Sequence, residues 1–503
     1  MPRSLAPETT DENDRPLRSR SRLWKWTRRG LIFAGGLLLL AVVSLFGGRA
    51  YFRHDGRGEL AAETAKLDAE HPGWRFTDLM AAREKAAPPD EQNSAVVVRR
   101  VRELTPKEWN DWVSRPNLSS GDPVPLNRRQ ADEDLIGSEE LFDSTRAARD
   151  LGQTLRDFPR GYHAVVVPEI PFLLNLDESQ GARHVVNLLS TDGVHAAQGG
   201  DPRRALRAAH AVLNTARSVG DEPTLISSLV RFAGGNISVT TTMRALALVD
   251  PKKALPELAA LQAALLAEAD EPIFLNGLRG ELALMNLMFD KLESGQLTPD
   301  QLAGAVGGHG TGAEGRVVFY FRRAFLPGDQ ARFQHYMNAF IAAAKRPHHE
   351  QREALANVES TIRDERDIRY AMSRLMLPAC EKCGSASLQH RAGLLCTATL
   401  IACERFRLAH GKWPESLAEL PKELLPTIPL DPYDGKPLKF AKLPDGVAVY
   451  TVGTGPNRNN ASELKRLNNP LGGSEIGWRL YDPPARGLPP LPKPKTEDMD
   501  EKP

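Results

Sequence analysis

Apolar positions recur at helical spacing along most of the chain, and only near the C-terminus does the period shorten to two. The first apolar block, Gly30 to Gly48, is a charge-free run of 19 residues. That length crosses a hydrocarbon core of roughly 30 Å as a helix. Arg53 to Glu84 predicts a membrane-proximal helix, a Pro72-Gly73-Trp74 turn and a second helix. After a proline-rich break, Asn93-Ser94 suits the cap of a helix running to Leu104. Residues 105–130 read as loop and 131–157 as helix. Val165 to Leu174 is apolar but split by Pro168 and Pro171, which predicts a short buried segment and excludes a central strand. Helix then follows helix from Ser179 to Leu292, with further helices over Asp329–Ala344 and His349–Leu377.

The most legible stretch is Leu388 to Gly453. Leu394, Leu395, Ala398, Ile401, Ala402, Phe406 and Leu408 form a helical stripe, with Arg391, Glu404, Arg405 and Arg407 on the wet side. Gly411 is a C-cap in the right place, and Pro414 stops the helix from resuming. A second short helix is expected over Pro414–Leu420, packing Trp413 and Leu417 back on the first. Asp431-Pro432 and Asp434-Gly435 are turn dipeptides, and two strand-like runs flank Pro444-Asp445-Gly446 as in a hairpin.

The expected fold is therefore mainly α, with a membrane helix, an extracytoplasmic helical-hairpin body and a small C-terminal α+β module. The expected divisions are 1–29 (disordered, basic), 30–50 (membrane helix), 53–160 (membrane-proximal helices), 161–303 (helical hairpins), 304–315 (Gly-rich linker), 316–387 (helical), 388–481 (α+β) and 482–503 (disordered, Pro-rich). One internal echo supports the hairpins. Asp201-Pro202-Arg203-Arg204-Ala205-Leu206 recurs as Asp250-Pro251-Lys252-Lys253-Ala254-Leu255, and each copy places a capping Asp before a Pro at the first helical position. The helices look like stacked hairpins of the tetratricopeptide kind, although two copies do not define that repeat and two independently capped helices read equally well.

The order Gly411-x-Trp413-Pro414, Asp431-Pro432-Tyr433-x-Gly435-x-Pro437 and Tyr450-x-x-Gly453 resembles the C-terminal half of the type II secretion pseudopilins. There a long helix leads through two such turns into an antiparallel sheet. His71-Pro72-Gly73-Trp74, Asp221-Glu222-Pro223-Thr224-Leu225-Ile226 and this tail together resemble a family of uncharacterised membrane-anchored planctomycete proteins. Three departures separate the chain from pseudopilins. Gly30-Leu31-Ile32-Phe33-Ala34 lacks their processing glutamate, most of the chain intervenes between membrane helix and module, and Gly453 to Asn460 has no carboxylate for their calcium loop. The resemblance implies a borrowed module and a possible link to secretion or pili.

Charge then fixes orientation. The fifteen residues before the apolar run hold seven Lys or Arg and the fifteen after hold three. The positive-inside rule places the N-terminus in the cytoplasm and the bulk beyond the inner membrane. Trp24 and Trp26 before the run, and Tyr51 and Phe52 after it, suit the two interfaces. A cleaved signal peptide is the competing reading, but Gly48-Arg49-Ala50 is a poor cleavage site and the run is long for one. Thr27-Arg28-Arg29-Gly30-Leu31 is a faint twin-arginine pattern. A net charge of +1 gives no sign of nucleic-acid binding.

Candidate chemistry is sparse. Cys380, Cys383, Cys396 and Cys403 invite zinc, a Cys380–Cys383 disulfide, or simple burial as small hydrophobes. Cys396 and Cys403 lie on the predicted helix, so a metal site needs the Cys380 segment to fold back. Gly384 stands where a haem-attachment motif needs His. Gly307 to Gly312 lacks the Lys-Ser/Thr of a phosphate loop and reads as linker. His348-His349-Glu350 is not a zinc-protease motif, His349 and Glu353 read as a solvated face, and no Gly-x-Ser-x-Gly occurs. The leading expectation is a membrane-tethered scaffold that binds a protein in the envelope, without catalytic site or cofactor. The alternatives are an envelope enzyme whose site is assembled from distant residues, and a cysteine-based metal or redox module.

Overall fold

The computed structural model describes residues 19–115, 124–305, 320, 322–377, 379–453 and 476–491. The architecture is mainly α with one small antiparallel sheet, as the patterning predicts. The anchor and the membrane-proximal helix are a single element, α1 (Ser19–Glu70). Residues 49–70 contain no proline and are rich in Ala, Glu, Leu and Arg, so nothing breaks the helix where it leaves its apolar stretch. Residues 19–29, expected to be disordered, are its first turns; residues 1–18 lie outside the described residues. The apolar stretch is long enough to cross a membrane, and none of it is covered by the rest of the chain.

Past that stretch α1 lies beside α14 (Leu326–Ala344), and the two run in the same direction. Phe52 packs on Phe325 with ring centroids 5.2 Å apart, and Thr64 donates to Gln334 at 3.1 Å. His71 meets Asn338 at 2.8 Å. Gly56 faces the backbone of Gly328 so closely that a Cβ there would sit 2.6 Å from the Gly328 nitrogen.

Short helices follow: α2 (Phe76–Lys85), α3 (Ser94–Leu104), α4 (Lys107–Val113), α5 (Asp132–Leu135), α6 (Glu139–Ser144) and α7 (Arg146–Gln153). The Asn93 side chain caps α3 by accepting from Ala95 N–H at 3.0 Å, as expected. Helix α4 falls inside the stretch read as loop; Trp109 and Trp112, one turn apart, share its buried face. Residues 165–174 form no strand, but they are not a buried segment as a whole either: Val166 is 79% and Leu173 46% exposed, while Pro171 and Leu174 are buried. The two prolines keep it out of a sheet, and Pro171 opens a 3-10 turn, Pro171–Leu173.

The centre holds α8 (Asp177–Gln198), α9 (Pro202–Arg217), α10 (Leu225–Leu248), α11 (Leu255–Asp270) and α12 (Ile273–Ser294). Asp201 caps α9 through Arg203 N–H and Arg204 N–H, and Asp250 accepts from Lys252 N–H in the turn that opens α11. Both copies of the Asp-Pro echo are thus helix starts. Helices α8, α9 and α10 all touch one another, which makes a bundle as well as a hairpin series. After α13 (Pro299–Ala305), which includes Gly304, residues 306–315 of the expected linker lie outside the described residues. Then come α14, α15 (His348–Asp364), α16 (Ala371–Met376) and the long α17 (Cys380–His410).

Helix α17 is the hub of the molecule. It starts eight residues before Leu388, packs on α10, α11, α12, α15 and the sheet, and lends side chains to two separate core clusters. Gly411 ends it in the left-handed conformation, φ 72°. The second helix expected after it is only one 3-10 turn, Leu417–Glu419, because Pro414 and Pro421 leave no room for more; Leu417 still buries and Trp413 packs beside it. The hairpin is present as β1 (Lys439–Leu443) and β2 (Gly446–Tyr450), and a third strand, β3 (Gly477–Tyr481), pairs antiparallel to β2. Val447 and Val449 stand opposite Leu480 and Trp478, forming the face that covers α17.

Residues 482–491 are not disordered. Arg486 makes a bidentate pair with Glu404 of α17, both contacts at 2.9 Å. Asn127 donates to Ala485 C=O, and Leu488 exchanges backbone bonds with Asn127 and Arg129, at 2.8 Å in each case. Composition marked this stretch as tail, but one buried guanidinium holds it down. Residues 492–503 lie outside the described residues.

Candidate functional site

All four cysteines lie on α17, so the segment at Cys380 does not fold back. At about 1.5 Å per residue, Cys380 and Cys403 are roughly 35 Å apart along the axis. Cys380 and Cys383 sit in the cluster built by α12, α14 and α15, while Cys396 and Cys403 sit in the cluster under the sheet. All four are free and buried. Burial pushes every thiol up, Cys383 to about 11 and the others further. Among the described residues no group of three His, Cys, Asp or Glu side chains has the geometry to hold a metal. The cysteines therefore act as small core residues, with Gly384 admitting Leu355 and Phe274 beside them.

Sequence reasoning missed the buried charges, which are spread over distant helices. Glu268 of α11 accepts from Arg217 of α9 at 2.7 Å and from Arg231 of α10 at 2.8 and 2.9 Å. Burial alone would raise its carboxyl, but the Arg231 and Arg217 guanidiniums hold it down at about 2. Asp192 of α8 accepts from Arg149 at 2.9 Å and Gln153 at 2.6 Å, and from Arg204 at 3.1 Å. Glu404 takes Arg407 as well as Arg486. Each carboxylate ties separate segments together, and each is fully committed.

One cluster has the composition of a hydrolase triad in the wrong order. Glu222 lies between Ser179, whose hydroxyl donates to it, and His163, 3.4 Å away. The carboxylate separates serine from imidazole, so the imidazole cannot take the hydroxyl proton. All three side chains are buried. The cluster secures the turn before α10.

Two clefts remain. The first, about 600 Å³, lies between α7 and the start of α9 and is lined by Arg156, Arg203, Arg204, Arg207 and Lys253. Its arginines already have partners: Arg204 on Asp192 and Asp150, Arg207 on Glu257, Arg203 on Lys253 C=O and Arg156 on Asp157. The second, about 670 Å³, lies under the proline loop 426–435. Leu266 and Asp270 of α11, His348 and His349 of α15, and Arg391 and Leu395 of α17 form its other walls. It is the more apolar of the two, with Ile428 and a 58%-exposed Leu430 at its lip. Arg391 and Asp270 pair across it at 3.0 Å.

The turn residues picked out in the sequence hold this wall. Asp431 is buried and accepts from Tyr433 N–H at 2.8 Å and Val452 N–H at 2.7 Å, which fixes the loop to the strand end. Gly435 has φ 71°, and a Cβ there would lie 2.8 Å from His349 Nδ1. His349, read as part of a solvated face, is exposed and borders this turn. Among the described residues β1 is one of the two edge strands of the sheet, and it carries Lys439 and Lys442, which oppose strand addition by another chain.

No protein-family model, curated protein or solved structure matches the chain.

Proposed function

We propose that this chain is a single-pass envelope protein, with its N-terminus in the cytoplasm and its body outside, that holds a protein partner at the membrane surface. The observation that carries the reading is α1, an uncovered apolar helix that continues without a break into the packed body. Such a continuation fixes the body's distance and bearing relative to the bilayer, which suits a scaffold. The partner's place is the cleft under the proline loop. Its size falls in the range of ligand clefts, roughly 300–1,000 Å³. Its apolar lip and single ion pair suit an extended segment bearing one or two apolar side chains. A link to secretion or pili rests on the resemblance of Gly411 to Gly453 to pseudopilins.

The test is cross-linked affinity purification of the full-length protein from its native membrane, alongside Leu430→Asp. Leu430 is exposed, so the variant keeps its fold. Recovery of secretion or pilus components by the parent, lost with Leu430→Asp, supports the reading. A monomer that retains no partner in either form overturns it.

A further inference from the structure

The body meets α1 at the very end of its apolar stretch. Every described side chain of α1 before Gly48 is exposed, and the first contacts follow at once. The Arg49 guanidinium lies over the Tyr320 ring, 3.8 Å from its centroid, and donates to Tyr320 C=O. Three residues on, Phe52 packs against Phe325, and the Arg369 guanidinium lies 5.7 Å from the Phe52 centroid. Arg53 pairs with Glu293. No spacer separates span from body.

The distances then decide what this rim touches. Phe52 is four residues past Gly48, a rise of about 6 Å. The headgroup layer on each side of a hydrocarbon core is about 5–7 Å thick. Phe52, Tyr320 and Arg369 therefore lie at headgroup depth whenever Gly30 to Gly48 crosses the bilayer. Next to Arg369 is Ile368, 71% exposed although it is a large aliphatic side chain. Arg322 and Arg366, also exposed, lie on the same two segments, where Asp367 pairs with Arg369 at 2.6 Å and Asp364 and Glu365 add negative charge.

The geometry points to a membrane-docking rim. Arg49, Tyr320, Ile368 and Arg369 seat the body on the phospholipid surface, with Ile368 inserted among the upper acyl carbons and the exposed Arg322 and Arg366 reaching the headgroup phosphates. The inference rests on the anchoring reading above, and it adds that the body lies against the bilayer and does not swing free of it. Arginine suits this depth because its apolar stem reaches down while its planar head pairs with phosphate.

The test uses full-length protein in nanodiscs of phosphatidylglycerol and phosphatidylethanolamine. A nitroxide is attached singly at Leu39→Cys in the span, Ile368→Cys at the rim, or Lys422→Cys on an exposed turn beyond α17. The native cysteines are buried, and the unsubstituted chain gives the labelling background. Relaxation by oxygen and by a water-soluble nickel chelate reads depth. Label 39 is expected at acyl depth, and label 368 several-fold less accessible to nickel than label 422. If label 39 is in the acyl layer and label 368 is as accessible as label 422, the docking rim is overturned and the anchor stands. A label 39 open to nickel overturns the anchor, and the rim with it.

Discussion

Replacing Glu268 with Gln removes the charge that ties α9, α10 and α11 together and leaves the shape nearly unchanged. The carboxyl is fully buried, and the side chains of Arg217 and Arg231 are 9% and 7% exposed. After the substitution Arg217 keeps Ala264 C=O and Asn214, and Arg231 keeps only Asp221 at 3.8 Å. Two buried cations then share little negative charge. Breaking a buried pair by removing one partner costs about 3–5 kcal/mol. The depression of the carboxyl by the two guanidiniums gives a second figure. The folded carboxyl sits at about 2 against an ordinary 4.5, and at about 1.4 kcal/mol per pH unit that is roughly 3 kcal/mol. Because the folded value is depressed, this stability is present above pH 4.5 and is lost as pH falls toward 2. The assay is urea unfolding of the full-length protein in detergent, followed by far-UV circular dichroism at a series of pH values. Glu268→Gln should lose about 3–5 kcal/mol at pH 7.5 and should flatten the acid limb below pH 4.5. The triple variant Glu268→Leu, Arg217→Met, Arg231→Met should recover most of the loss, since apolar groups of similar volume replace buried ion sets well. A single substitution that costs less than about 1 kcal/mol, the value of an exposed pair, refutes the reasoning.

Other expectations follow from neighbouring features. Burial pushes the His390 imidazole down to about 4 from 6.5, so the unfolded chain takes the proton first. His390 should contribute about 3 kcal/mol of the stability lost as pH drops from 6.5 to 4, and His390→Gln should shrink that limb of the urea midpoints without removing it, because burial also pushes His210 and His348 down to about 4. Gly56→Ala should cost about 1–3 kcal/mol by pressing on Gly328, whereas Gly58→Ala, which faces open space, should be neutral or stabilising; thermal melting separates them. Arg486→Met should free residues 482–491 and speed chymotryptic cleavage at Tyr481 and Leu488. In Ellman titration the native protein should show no reactive thiol, and the unfolded protein four.

Much of the fold was legible because it is local. The caps at Asn93, Asp201 and Asp250, the left-handed stop at Gly411 and the hairpin at Pro444-Asp445-Gly446 all use side chains within a few residues of the backbone they control. The misses share a different cause. The tail at 482–491 looked unstructured because proline and charge dominate it, yet Arg486 finds Glu404 far along the chain. The strand at Gly477 and the α1–α14 contact likewise depend on partners that no window of sequence contains. The cleft is a mixture of both. Asp431 and Gly435 announced a turn, but only the packing of α11, α15 and α17 around that turn makes a cavity. Cys396 and Cys403 were placed on the right helix, but its start at Cys380, eight residues before the legible stripe, was not seen.

The clasp formed by residues 482–491 also sets a clock. Its bonds to Asn127 and Arg128 join positions 358 and 361 residues apart, and its one ion pair completes the charge set around Glu404. The outer face of α10 and α17 cannot be sealed until Leu488 has left the ribosome. Each newly made molecule therefore passes through an interval in which α1 to β3 exist but their closing stitch does not, with Glu404 short of a partner and the flank of the central helix open to chaperones and proteases.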